Sequence, residues 1–150
     1  MTLGLALAAL SLLAVASPTR AEERPIKGSG SGALNLDTAR MLAVGDVAHL
    51  GESRVLFFLE QSLLDGNEIQ VSVCAFIAAN GDFVWVDVQH NVFDPETGVL
   101  MAKLSFLPQL SSGRFADVEG SADLLIMFED WTDIFGNPSF VFFLDGVIDY

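Results

Sequence analysis

The sequence predicts an all-β fold, an eight-stranded antiparallel up-and-down barrel, on three observations. Apolar and polar residues alternate with period two in one segment after another. Short Gly-, Asn- and Asp-rich turns separate those segments and leave no room for a crossover helix. The stretch from Ser111 to Gly120 joins two strand-like runs through Gly113, Arg114 and Phe115, with Gly120 following. That pattern reads as a tight turn into a bent or bulged strand. Eight antiparallel strands in a meander lose their exposed edges by closing on themselves. A two-sheet β-sandwich is the alternative architecture.

The elements follow in order. Residues 22–27 are charged, contain Pro25 and read as a flexible lead-in, and the barrel domain is expected over 28–150. Lys27-Gly28-Ser29-Gly30-Ser31-Gly32 has a linker's composition. Its glycines recur at every second position, which equally fits a curved first strand with close backbone approach, and we favour the strand. Arg40 to His49 and Arg54 to Glu60 are the next two strands, the latter apolar on both faces. Asp65-Gly66-Asn67 is a hairpin turn into Glu68 to Ala78, where Ile69, Val71, Val73, Ala75 and Ile77 share one face. Asn80-Gly81-Asp82 turns into Phe83 to His90, with Val84, Val86 and Val88 on one face and Asp87 and Gln89 on the other. Asp94 to Gly98 is a further turn, followed by strands over Val99 to Leu107, Val118 to Glu129 and Phe140 to Tyr150.

Residues 1–21 read as a secretory signal. Leu3 to Val15 is uncharged, rich in Leu and Ala, and too short to span a bilayer comfortably. Ala14-Val15-Ala16 and Thr19-Arg20-Ala21 are two cleavage-like patterns, and an uncleaved N-terminal anchor is the alternative. No Cys follows the apolar run, which speaks against a lipid-anchored form. The expected location is secreted or periplasmic. The chain carries a formal charge of −13, and loss of Arg20 with the leader takes it to −14. Such a domain repels phosphate backbones and anionic bilayers, so neither nucleic acid nor membrane is an expected partner. A membrane barrel would need an unbroken apolar outer face, whereas several strands here carry acids on one face. The single Cys74 lies in an apolar strand pattern and reads as a buried thiol, with an intermolecular bridge or a reactive thiol as the alternative.

Four local motifs coincide: Ala48-His49-Leu50-Gly51, Ala78-Ala79-Asn80-Gly81-Asp82, Ser112-Gly113-Arg114-Phe115 with Glu119-Gly120-Ser121, and Gly146-Val147-Ile148-Asp149-Tyr150. Together they resemble small exported bacterial proteins of unknown function. The Gly-Arg-Phe turn is similar to the Gly-Gly-Thr-Gly-x-Phe signature of the dirigent and allene oxide cyclase families. That resemblance implies an eight-stranded, lipocalin-like barrel, often trimeric, and suggests an isomerase or cyclase as one reading. Ser111-Ser112 stands where the signature has Gly and Thr, and the enzymes' catalytic residues have no match here. No activity carries over, and a shared fold would not carry one.

The candidate chemistry is sparse. Gly113, Phe115 and Gly120 read as structural turn residues: a conformation forbidden to residues with a Cβ, and a ring that plugs one end of the barrel. Arg114 reads as an ion pair with neighbouring Asp117 and Glu119, or as an anion-recognition group. His49 and His90 lack any spacing that requires catalysis or metal, and no cofactor is expected. The acidic loop from Glu129 to Asp133 does not have the spacing of a known calcium loop. Trp131 and Phe135, in the loop that runs on to Gly136 and Asn137, with Trp85 and Arg114, are the candidate ligand-binding residues, the two loop aromatics acting as a rim lid or tucking under as a core cap. Phe83, Phe106, Phe128, Phe140, Phe142 and Phe143 are read mainly as core. Three functional readings stay open: a non-enzymatic barrel holding a small apolar ligand in its lumen, an isomerase or cyclase, and a structural or oligomerising protein whose barrel is solid.

Overall fold

The computed structural model describes residues 22–60, 68–131 and 136–150. The predicted signal at 1–21, the Asp65-Gly66-Asn67 turn and Phe135 lie outside the described residues. Among those described are eight strands: β1 (Arg24–Asn35), β2 (Arg40–Val47), β3 (Gly51–Leu59), β4 (Val71–Ile77), β5 (Phe83–Asp94), β6 (Val99–Phe106), β7 (Glu119–Phe128) and β8 (Ser139–Asp149). They form one closed barrel in sequence order. Every neighbouring pair is antiparallel, and β1 closes the ring against β8 from Arg24↔Ile148 to Ala33↔Ser139. The closure rules out the sandwich. The first strand also begins at Arg24, inside the stretch whose charge and proline suggested a lead-in. The backbone of β8 supplies partners there, and Pro25 is tolerated within the strand.

Strand alternation builds the interior. Val55, Phe57 and Leu59 of β3, Val84, Val86 and Val88 of β5, Leu100 and Leu104 of β6, Leu124 and Ile126 of β7, and Phe140 and Phe142 of β8 all point inward and are buried. Phe57 meets Phe140 and Phe142 edge-on across the lumen, with ring centroids 5.9 and 6.0 Å apart. Each such buried ring contributes roughly 1.5–3 kcal/mol relative to exposure.

β4 departs from its sequence pattern. Leu59 pairs with Val71 and Phe58 with Val73, so Ser72 is an extra residue, a β-bulge. The bulge reverses the alternation: Ile69 and Val71 face inward, but beyond it Cys74 and Phe76 take the inner face. Val73, Ala75 and Ile77 are thereby turned outward, not onto the face of Ile69. Ser72 anchors the bulge by donating its hydroxyl to the Phe58 carbonyl at 3.1 Å. A second bulge sets His90 and Asn91 of β5 opposite Ala102 of β6. It aims the Asn91 amide at Val71, whose carbonyl accepts from Nδ2 at 2.9 Å and whose N–H donates to Oδ1 at 3.2 Å. A side chain thus continues the β4–β5 ladder beyond its last backbone pair.

The glycines of β1 face the lumen, as do those of a curved strand rather than a linker. Gly30 lies opposite Gly45 of β2, and a Cβ on Gly30 would stand 2.6 Å from Phe142 Cε1 and 2.7 Å from the Gly45 Cα. A Cβ on Gly45 would stand 2.7 Å from the Gly30 Cα. The sheet is folded tightly between β1 and β2, and the Phe142 ring fills the space this leaves. Gly30→Ala and Gly45→Ala should each lower the unfolding free energy by roughly 1–3 kcal/mol through overpacking. Ser31→Ala, on the exposed outer face, should change it by less than about 0.5 kcal/mol. Urea denaturation followed by tryptophan fluorescence measures both, and equal effects at the three positions would refute the crimped contact.

Candidate functional site

Antiparallel connectivity puts the loops at two ends of the barrel. Residues 48–50, 78–82 and 107–118 share one end with Arg24 and Tyr150, and 36–39, 95–98 and 129–131 share the other. The three described candidate binding residues are therefore not brought together. Arg114 lies at the first end and Trp131 at the second. Trp85 sits on the outer face of β5, and Phe135 is outside the described residues.

At the first end the turn has a clear physical construction. β6 stops at Phe106, leaving the lower N–H groups of β5 without a strand partner. The Ser111 and Ser112 hydroxyls accept from the backbone of Trp85 at 3.1 Å and Phe83 at 2.9 Å. Gly113 follows at φ +59°, where a Cβ would strike the Asp82 carboxylate, and that carboxylate accepts the Arg114 N–H at 3.3 Å. Phe115 is fully buried and closes this end, 4.9 Å from the Tyr150 ring. Gly120 opens β7 at φ +125°, with its α-carbon against the Val147 carbonyl.

Arg114 does not pair with Asp117 or Glu119. Its guanidinium donates to the His49 carbonyl and lies 4.7 Å from the centre of the Phe115 ring and 5.8 Å from that of Tyr150. Arg24 stands 5.2 Å from the same Tyr150 ring. Sequence neighbours were the wrong guide, because the 3₁₀ turn over Gly113–Phe115 directs the side chain across the barrel end. His49, at φ +71°, turns its Nε2 to the Pro25 carbonyl at 3.0 Å. The arrangement ties three loops and both strand termini together by cation–π and backbone contacts.

At the other end Trp131 tucks inward. Its ring lies 4.6 Å from Phe93 and 5.4 Å from Phe128, and Nε1 donates to the Pro95 carbonyl at 2.7 Å. The turn beneath it is closed by Asp94, which accepts from the Glu96 N–H at 2.9 Å and the Thr97 hydroxyl at 2.8 Å. The Thr97 hydrogen bond, then that of Glu96, lowers the Asp94 pKa.

Between the ends the lumen is filled. Phe128 and Phe140 touch at 5.8 Å above the Phe57–Phe142 contact, and Phe115 closes the floor. Among the described residues the buried polar side chain is Ser53, which donates to the Gly51 carbonyl at 2.9 Å. No cluster of acid, base or phenol projects inward there.

An exposed concavity lies on the outer wall. A groove of about 1030 Å³ crosses β1, β8, β7, β6 and β5. Its apolar floor is one register row, Val92, Met101, Leu125 and Phe143. The next row is charged: Lys103, Asp123, Asp145 and Lys27 stand side by side on four strands. Lys103 pairs with Asp123 at 2.9 Å, and Lys27 with Asp145 at 3.8 Å. His90, held at φ +52° by its bulge, and Asp46 complete the rim. The sequence contained this row, but its residues become neighbours only once four strand registers are known.

Burial raises the Cys74 thiol pKa well above its usual value. The thiol is therefore protonated near neutral pH, and its labelling by a disulfide reagent should proceed only as fast as global unfolding. A labelling rate unaffected by stabilising or destabilising conditions would overturn that assignment. No protein-family model, curated protein or solved structure matches the chain.

Proposed function

We propose that the protein is an exported, soluble, non-catalytic β-barrel that works through its outer wall as an oligomerising or surface-contact protein. One observation carries this reading: Phe57 meets Phe140 and Phe142 across the lumen, and Phe128 meets Phe140, so aromatic side chains occupy the interior. A lumen ligand would have to displace this core, and a cyclase would need polar groups where aromatic rings stand. The outer wall supports solubility, because its mid-height row of Lys and Asp would face hydrocarbon in a membrane barrel. It also supports association, because Val92, Met101, Met127 and Phe143 are exposed beside that row. A second reading, an apolar small molecule bound on the same wall, is favoured by the groove itself.

Sedimentation velocity and native mass spectrometry of protein purified from its own host test these readings. An assembly whose mass is an integer multiple of the chain, without adducts, is expected. A monomer carrying a co-purified small molecule favours the second reading. Retention of that molecule by a Met101→Arg variant, which blocks the groove but not the interior, would return the ligand to the lumen and overturn both.

A further inference from the structure

We propose that the β6–β7 wall is an isologous interface for a second copy of this chain, with a two-fold axis running along the strands between β6 and β7. This rests on the reading above, and names the contact face and its partner.

The argument is the order of residues across the wall. Taken from β5 to β8, the apolar row reads Val92, Met101, Leu125, Phe143. Rotation about an axis between β6 and β7 sets each residue against its mirror position in the row. Met101 then faces Leu125 of the second copy, and Val92 faces Phe143, each contact occurring twice. The row towards the Trp131 end places Val99 against Met127 in the same way. Within the row Met101 is 54% and Val92 58% exposed.

The neighbouring row decides the partner. From β5 to β8 it reads Gln89, Lys103, Asp123, Asp145. The same rotation sets Lys103 against Asp123 and the Gln89 amide against the Asp145 carboxylate. Opposite charges meet beside the axis and an amide donor meets a carboxylate at the flanks, the self-complementarity an isologous interface needs. An axis between β7 and β8 would instead set Lys103 on Lys27 and Asp123 on Asp145, like on like. An axis between β8 and β1 would also set Asp145 on Lys27, but it would set Phe143 on Ser29, so the charge and apolar rows together favour the β6–β7 axis. The Lys103–Asp123 pair is exposed and contributes little within one chain, so exchanging partners across the interface costs little.

The opposite wall also carries exposed apolar residues, Leu42 at 61% and Val44 at 53%, but an axis between β2 and β3 would set Asp46 on Glu52, like on like. There Phe58 and Trp85 stack 5.9 Å apart, Ala75 is buried, and Arg40 covers the Phe58 ring at 5.2 Å. These contacts cover the Phe58 and Trp85 rings but not Leu42 or Val44.

The test is a charge swap on the full chain. K103D and D123K each place like charges across the axis, and each should weaken self-association at least about tenfold in sedimentation velocity. An equimolar mixture of the two variants should restore the dimer as a heterodimer, because Asp then faces Lys at both positions. The double variant K103D/D123K should dimerise alone. Circular dichroism melts confirm that these exposed substitutions leave the fold intact. Wild-type dimers that neither single variant weakens place the interface elsewhere, overturning this inference and leaving the association reading standing. A wild-type chain that stays monomeric at tens of micromolar overturns both.

Discussion

Every part of this molecule depends on packing large rings inside a small closed sheet. Eight strands enclose a lumen only wide enough for side chains, and here Phe57, Phe76, Phe140 and Phe142 occupy it. That crowding is admissible because part of the wall contributes no inward side chain. Gly28, Gly30 and Gly32 of β1 and Gly45 of β2 yield the volume that β8 fills with phenylalanine. The glycines and the rings are complementary halves of one core, on adjacent strands.

The architecture was legible because strand alternation and turn chemistry are local. Val84, Val86 and Val88 declared their inner face directly, and the Asn80-Gly81-Asp82 turn its hairpin. The β4 face was not legible beyond Ser72. A single inserted residue flips parity, and nothing in the composition of Val71-Ser72-Val73 marks the insertion. Arg114 is not legible for a related reason: it stands near two acids in sequence, but the 3₁₀ turn sends its side chain to His49 and Tyr150. Gly113 and Phe115 could be read because a positive φ and a buried ring leave strong residue preferences.

The candidate surface was the least legible. Lys27, Lys103, Asp123 and Asp145 are scattered along the chain and mean nothing until the registers align them. Outward aromatic residues such as Phe83, Trp85 and Phe143 were indistinguishable from core by type alone, and only register separated them from Phe106, Phe140 and Phe142.

The glycine face of β1 has a kinetic consequence. Strand register is ordinarily fixed by which side chains fit the core. On β1 only Ile26 and Leu34 can read that fit, like two pegs at the ends of an otherwise blank ruler. The first strand made is then the last to find its place, since it must wait for β8 to supply the rings that fill its empty face. Until that happens the half-built cylinder has two open margins, and the β1 of another chain would suit one of them as well as its own.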